Sequence, residues 1–160
     1  MNAIFLDING VLDTNANIDV INIDNLKRLK YIVDVTNSKV VISSSLKNSY
    51  YYTGHYSRHL QNIINEIENI GIEIIGITPK AKTREEEIKI YLSHHPKIDN
   101  YCILDDDYDM ESLKENLVKL PSQMENNQMG LDEHYMNEAI KILSRKKWNY
   151  YINTIIIFLI

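Results

Sequence analysis

The chain has 160 residues, 44% of them hydrophobic and 24% charged, which suits one globular domain with a full-sized core and argues against a second large one. A formal net charge of −5 argues against a broadly basic nucleic-acid-binding face, although a local basic patch is compatible with it. The single cysteine, Cys102, lies in an apolar run and cannot form an internal disulfide, so it reads as a core thiol in a reducing, cytoplasmic compartment.

Ala3-Ile4-Phe5-Leu6 is an apolar run that ends in a carboxylate, Asp7. Asp7 also interrupts any secretory signal at this position. The run reads as a strand buried on both faces, the habit of a parallel sheet covered by helices. Asp7 then lies at the edge of the sheet where such folds place their chemistry. Gly10, just after Asn9, permits a sharp turn and lets backbone N–H groups approach a ligand. Over residues 23–33, Leu26, Leu29 and Ile32 share a helical face, with Lys27, Arg28 and Lys30 elsewhere.

Val40-Val41-Ile42 reads as a second strand, followed by Ser43-Ser44-Ser45, which taken alone is a turn or a helix cap. Tyr50, Tyr51, Tyr52, His55, Tyr56, Arg58 and His59 come next. They either stack on and hold single-stranded nucleic acid or form a tyrosine-rich loop. Residues 60–70 carry Ile63, Ile64, Ile67 and Ile70 at helical spacing, residues 72–77 read as a third strand, and residues 84–92 as a third helix. Thr83 is the expected N-cap of that helix and Glu86 completes a capping box, a reading in which Arg84 is solvated.

Residues 101–104 form the expected fourth strand and run into Asp105-Asp106-Asp107. Residues 117–120 read as a fifth strand, 121–130 as a polar surface loop and 132–143 as a closing helix. Strands alternating with helices indicate an α/β doubly wound parallel sheet of about five strands over residues 1–147. The apolar segment 148–160 is shorter than the roughly 20 residues a membrane span needs. It is expected to pack on the domain, or to serve an interface or membrane surface.

If the first and fourth strands are neighbours, Asp7, Asp105 and Asp106 converge. Two carboxylates ~4 Å apart repel by roughly 4 kcal/mol at an effective dielectric of 20, so the cluster calls for a cation. All-oxygen donors with room for water and phosphate point to Mg²⁺. The alternative is that Asp105 to Asp107 cap a short helix.

Phe5-Leu6-Asp7-Ile8-Asn9-Gly10-Val11-Leu12 resembles the first motif of haloacid dehalogenase-like (HAD) phosphotransferases, Asp-x-Asp-Gly-x-Leu, with Asn9 in place of the second aspartate. Val41-Ile42-Ser43-Ser44-Ser45 resembles the second motif. Thr78-Pro79 with Arg84 and Glu87-Ile88 resembles the third, and Ile103-Leu104-Asp105-Asp106 the fourth. With Gly130-Leu131 they are similar to the small HAD domains associated with Swiss Army Knife RNA-repair proteins, over about residues 1–145. Those domains often carry Trp-Arg after the serines, where this chain has Leu46-Lys47.

The resemblance implies a HAD-like Rossmannoid fold, here too short for an inserted cap domain. An open site favours a bulky phosphorylated substrate such as a nucleic-acid end, alongside nucleotides and phosphoproteins. The resemblance also implies that Asp7 attacks phosphorus and forms an aspartyl-phosphate. Mg²⁺ would be held by Asp7, the backbone carbonyl of Asn9 and an acid from Asp105-Asp106. Ser43, Ser44 and Gly10 would bind phosphoryl oxygens, and Arg84 or else Lys82 would offset their charge. Asn9 occupies the general-acid position but cannot exchange a proton, and losing a positioned acid typically costs about 10²- to 10⁴-fold. Asp13 is the nearest acid in sequence. Two functions follow: a Mg²⁺-dependent phosphohydrolase impaired on unactivated esters, and a phosphate-binding module without turnover.

Overall fold

In the computed structural model, which describes residues 1–145 other than 15, 18 and 126, five strands form one sheet. They are β1 (Asn2–Leu6), β2 (Ser38–Ile42), β3 (Ile74–Ile77), β4 (Asn100–Asp105) and β5 (Leu117–Lys119). The helices are α1 (Ile23–Thr36), α2 (Ser49–Thr53), α3 (Arg58–Asn69), α4 (Arg84–His94) and α5 (Glu133–Ser144). Every strand pairing is parallel, in the order β3-β2-β1-β4-β5. The apolar segment at 148–160 lies outside the described residues.

Period-two alternation sorts the strand side chains between two layers. Ile4, Leu6, Val40, Ile42, Cys102 and Leu104 pack with Leu26 and Leu29 of α1, Leu60 and Ile63 of α3, and Ile142 and Leu143 of α5. Ala3, Phe5, Val41 and Ile103 face the opposite layer, against Ile88 and Tyr91 of α4 and against Met110 and Leu113. Helices thus cover both faces, and the expected doubly wound sheet is what the chain forms. Among the described residues no inserted domain interrupts it. No described helix is long and apolar enough to cross a membrane. Cys102 is fully buried, and burial pushes its thiol pKa up, which suits a core thiol rather than a nucleophile.

Two segments depart from expectation. The tyrosine-rich stretch is only partly a loop: a 3₁₀ turn (Ser45–Asn48) leads straight into α2, which holds Tyr50 to Tyr52 and ends where Gly54 adopts a left-handed φ of 75°, while His55 and Tyr56 lie in the loop that leads into α3. The helix expected over 23–33 runs on to Thr36, because the residue able to take the left-handed cap is Asn37, at φ 50°.

The chain steps outward from β1 to β3 on one side, then returns to lay β4 and β5 on the other. The crevice at the C-terminal ends of β1 and β4 is the switch point at which such sheets bind ligands. Register makes this place specific. Leu6 pairs with both Ile42 and Leu104, so the next residues, Asp7, Ser43 and Asp105, lie on one level across three strands. Asp7 N–H donates to Leu104 O at 2.9 Å and Ser43 N–H donates to Leu6 O at 2.8 Å, which fixes that level.

Phe5 lies at the centre of the α4-side core, edge-on to Tyr91 and Tyr101 with ring centroids 5.7 Å away in each case. Phe5→Ala is expected to destabilise the fold by about 3–5 kcal/mol in urea unfolding. A loss below about 1 kcal/mol would mean that this layer does not hold the sheet.

Candidate active site

Asp7, Ser43 and Asp105 each follow a side chain that points into the α1/α3/α5 layer, so alternation turns them toward α4. The first residue of α4 meets them. The Arg84 guanidinium lies 3.5 Å from Asp7 Oδ2 through Nη2 and 3.6 Å from Asp105 Oδ2 through Nε, and its Nη1 donates to Ser43 O. The capping expected at this helix start is half present. Thr83 Oγ1 accepts Glu86 N–H at 3.2 Å, while the Glu86 carboxylate takes Lys82 N–H at 3.1 Å instead of the cap residue's own. The reading that left Arg84 solvated is overturned: Arg84 is buried, because the neighbouring acids draw its charge inward. Lys82 is exposed.

One turn along α4, Glu87 stands 3.7 Å from Arg84 Nη1 and accepts from Lys47 Nζ at 2.7 Å. Lys47 is buried, which lowers its pKa, with the Glu87 hydrogen bond acting in the opposite direction. Four buried acids (Asp7, Glu87, Asp105 and Asp106) thus adjoin two buried cations (Arg84 and Lys47). Fully ionised, these acids outnumber the cations, and with the buried Asp13 above them they leave an excess of negative charge that a divalent cation would offset. Burial pushes the Asp7 carboxyl from 3.8 up to about 7, with Arg84 opposing and Asp105 reinforcing the shift. Burial also raises Asp105 and Asp106.

These three acids could hold a metal, since one carboxylate oxygen from each lies within 4.8 Å of the others. Asp105 Oδ1 accepts the N–H groups of Asp107 and Tyr108 at 3.0 Å, yet its Oδ2 is buried with no hydrogen-bond partner. Asp106 Oδ2 accepts Gln123 N–H at 2.6 Å. Hard oxygen donors, one of them buried without a hydrogen bond and facing the Arg84 charge, suit Mg²⁺. The alternative role for these acids, capping a helix, is absent: the 3₁₀ turn that follows (Glu111–Asn116) starts after Met110 without a side-chain cap. Ser43 Oγ is likewise buried and unpartnered, while the Ser44 hydroxyl accepts Leu46 N–H at 3.4 Å and lies near enough to Asp7 to favour its ionised form.

The loop after β1 closes over the acids. Gly10, at φ 74°, packs where a Cβ would collide with the Asp106 carboxylate. Asp13 is buried and accepts four hydrogen bonds, from Gly10 N–H at 2.5 Å, Gln123 Nε2 at 2.7 Å, Asp19 N–H at 3.0 Å and Asn9 Nδ2 at 3.2 Å. Asn9 Nδ2 also donates to Asp19 Oδ1 at 2.8 Å. Leu131 N–H donates to Val11 O at 2.8 Å and ties the end of the 121–130 loop to this one. A cavity of about 400 Å³ opens over the acids, lined by Asp7, Asn9, Asp19, Asp106 and Gln123 among others.

The structure therefore gathers Asp7, Ser43, Ser44, Arg84, Asp105 and Asp106, sets Asn9 and Gly10 in the loop above them, and leaves the Lys82 side chain in solvent. Sequence reasoning missed the Lys47–Glu87 pair and the roles of Asp19 and Gln123. Glu87 lies three residues after Arg84 on one helix face, a spacing that could have revealed it. Gln123 comes from a polar loop that carries no such signal.

Compared with known families, the chain matches the model described as "HAD domain in Swiss Army Knife RNA repair proteins" over residues 3–133. No curated protein and no solved structure matches it.

The raised carboxyl of Asp7 has a pH consequence. An acid with a raised folded-state pKa contributes stability that is fully present below its unfolded value and lost as pH rises through the folded one. In EDTA, the melting temperature is expected to fall between about pH 4 and pH 7, less steeply in Asp7→Asn, with Mg²⁺ restoring most at the upper end. An Asp7→Asn protein with the wild-type slope would contradict the assignment.

Proposed function

The chain belongs to the family of HAD domains in Swiss Army Knife RNA repair proteins, and from that premise we propose that it is a Mg²⁺-dependent phosphohydrolase acting on a phosphorylated nucleic-acid end or nucleotide. The observation that carries this reading is the meeting of Asp7, Asp105 and Asp106 with Arg84 at the switch point of the sheet. Asp7, an acid from the Asp105-Asp106 pair and the backbone carbonyl of Asn9 would hold Mg²⁺, which when bound neutralises charge on the transferring phosphoryl group.

Asp7 attacks phosphorus as the ester oxygen departs, forming an aspartyl-phosphate, and water then cleaves it to return Asp7 and inorganic phosphate. The unpartnered Ser43 hydroxyl takes a phosphoryl oxygen, and Arg84 offsets negative charge as it develops. Ser44, beside the nucleophile, favours its ionised form. Gly10 acts through the room it leaves beside Asp106, since Asp13 takes its N–H. The setting that fits the buried thiol of Cys102 is a reducing one such as the cytoplasm.

Asn9 governs which esters turn over. Its amide donates to both Asp13 and Asp19, so an aspartate here would confront two carboxylates in place of two acceptors. Asp13, with four donors already on it, is held as an acceptor and does not stand in as the acid. This arrangement favours esters with good leaving groups, which need no proton as they depart. It also favours a second reading, a phosphate-binding module, in which the same residues bind without turnover.

An aryl phosphate with Mg²⁺ separates the two. The full chain is expected to hydrolyse it, Asp7→Ala to abolish hydrolysis, and alkyl phosphates to react at least about 100-fold more slowly. Equal rates for wild type and Asp7→Ala would leave only the binding reading. In Asn9→Asp, alkyl phosphate hydrolysis is expected to rise at least about tenfold while stability drops by about 1–2 kcal/mol as two hydrogen bonds disappear. A variant no faster on alkyl esters would show that position 9 does not limit the rate.

A further inference from the structure

Beside the acid cluster lies a second cavity of about 150 Å³, lined by Lys80, Lys82 and Arg84 among others. Ser45 and Tyr108 line both cavities, so the two adjoin as the inner and outer parts of one trough. Its chemistry changes along its length. The inner part is acidic, around Asp7 and Asp106; the outer part is lined by Lys47, Lys80, Lys82 and Arg84 with Glu87 and Tyr108, and Tyr51 and Tyr52 flank it through Lys80. Arg84 marks the crossing, with its guanidinium carbon 5.0 Å from the Tyr108 ring centroid.

The outer part is a built surface. Tyr51 Oη accepts Lys80 N–H at 2.7 Å and so locks α2 to the segment before α4. Lys80 Nζ lies 4.8 Å from the Tyr52 ring centroid and 5.5 Å from that of Tyr51. Tyr52 is 79% exposed. Neither Lys80 nor Lys82 makes an ion pair among the described residues: Lys80 Nζ donates to Tyr52 Oη at 3.4 Å, while Glu87 is engaged by Lys47 and Glu86 by Lys82 N–H. In a chain of net charge −5, two lysines without an acidic partner among the described residues, one of them beside exposed aromatic rings, suit a polyanion with flat groups.

We propose that this outer trough seats the nucleotide next to the reacting end of a single strand. Lys80 and Lys82 take the adjacent phosphodiester, and Tyr52 stacks its base while the terminal phosphate lies over Asp7. The inference rests on the phosphohydrolase reading of the acid cluster and narrows its substrate to oligonucleotides rather than free nucleotides. A phosphopeptide offers neither a second phosphate nor a regular stack of rings.

Binding tests the trough without requiring turnover. Fluorescence anisotropy of the full-length Asp7→Asn protein with a short, phosphate-ended, single-stranded oligonucleotide is the measurement. Adding Lys80→Ala and Lys82→Ala is expected to weaken Kd about tenfold or more and to flatten the dependence of log Kd on log salt by about 0.7 for each phosphate no longer neutralised. Adding Tyr52→Ala is expected to weaken Kd at least about fivefold with the salt slope unchanged. In the otherwise wild-type enzyme, the same changes are expected to lower kcat/KM for the oligonucleotide about tenfold relative to that for an aryl phosphate, mainly through KM.

Unchanged affinity and slope, an equal loss for a mononucleotide, or an equal loss for a phosphopeptide would each overturn the proposal. Failure of the underlying reading looks different: no ester is hydrolysed, while anisotropy still reports whether the trough holds the strand.

Discussion

The register among three parallel strands is the constraint on which this site depends. Because Leu6 pairs at once with Ile42 and Leu104, the next residue of each strand arrives at one level, and three polar groups crowd the switch point. Each is pinned by backbone hydrogen bonds that cannot slip without turning the strands' apolar residues outward. The price of that geometry is buried charge. Burial raises the pKa of both Asp7 and Asp105, and the Asp105 charge raises that of Asp7 further. Arg84 and Lys47 offset part of the charge, leaving a deficit of the size and hardness that suits a divalent ion.

The buried network also orients its own cation. Arg84 reaches Asp7 and Asp105 on one side and Glu87 on the other, and Glu87 is gripped by Lys47 from the turn after β2. Four elements therefore converge on a single guanidinium. Lys47 stands where related domains often have an arginine, and here it supports Glu87 from a buried position. Above the acids, Asp13 gathers donors from its own loop and from Gln123, so the loop after β1 and the 121–130 loop settle together over the cavity. Asn9 belongs to that arrangement as a donor.

Much of this could be read from the residues alone. Strand runs such as Val40-Val41-Ile42 and helical stripes such as Leu26, Leu29 and Ile32 carry their periodicity openly, and all five strands and the sheet's architecture follow from them. Asp7, Asp105 and Asp106 were legible because acids at the ends of apolar runs are hard to explain as core. Less legible were features decided by tertiary packing. The burial of Arg84 depends on acids from two distant strands, and the helical turn of Ser49–Thr53 on its exit through Gly54 and its lock onto Lys80. Gln123 and Asp19 meet Asp13 only because two loops fold over one another, and no local pattern announces such a meeting.

The central claim is that the acids at the tips of β1 and β4 share one divalent ion. Anomalous diffraction from a crystal soaked in Mn²⁺ tests it most directly. A single strong peak is expected within coordination distance of Asp7 and of at least one of Asp105 and Asp106, vanishing in a crystal of the Asp7→Asn, Asp105→Asn protein. A peak elsewhere on the surface, or none at saturating Mn²⁺ with the carboxylates ionised, would contradict it.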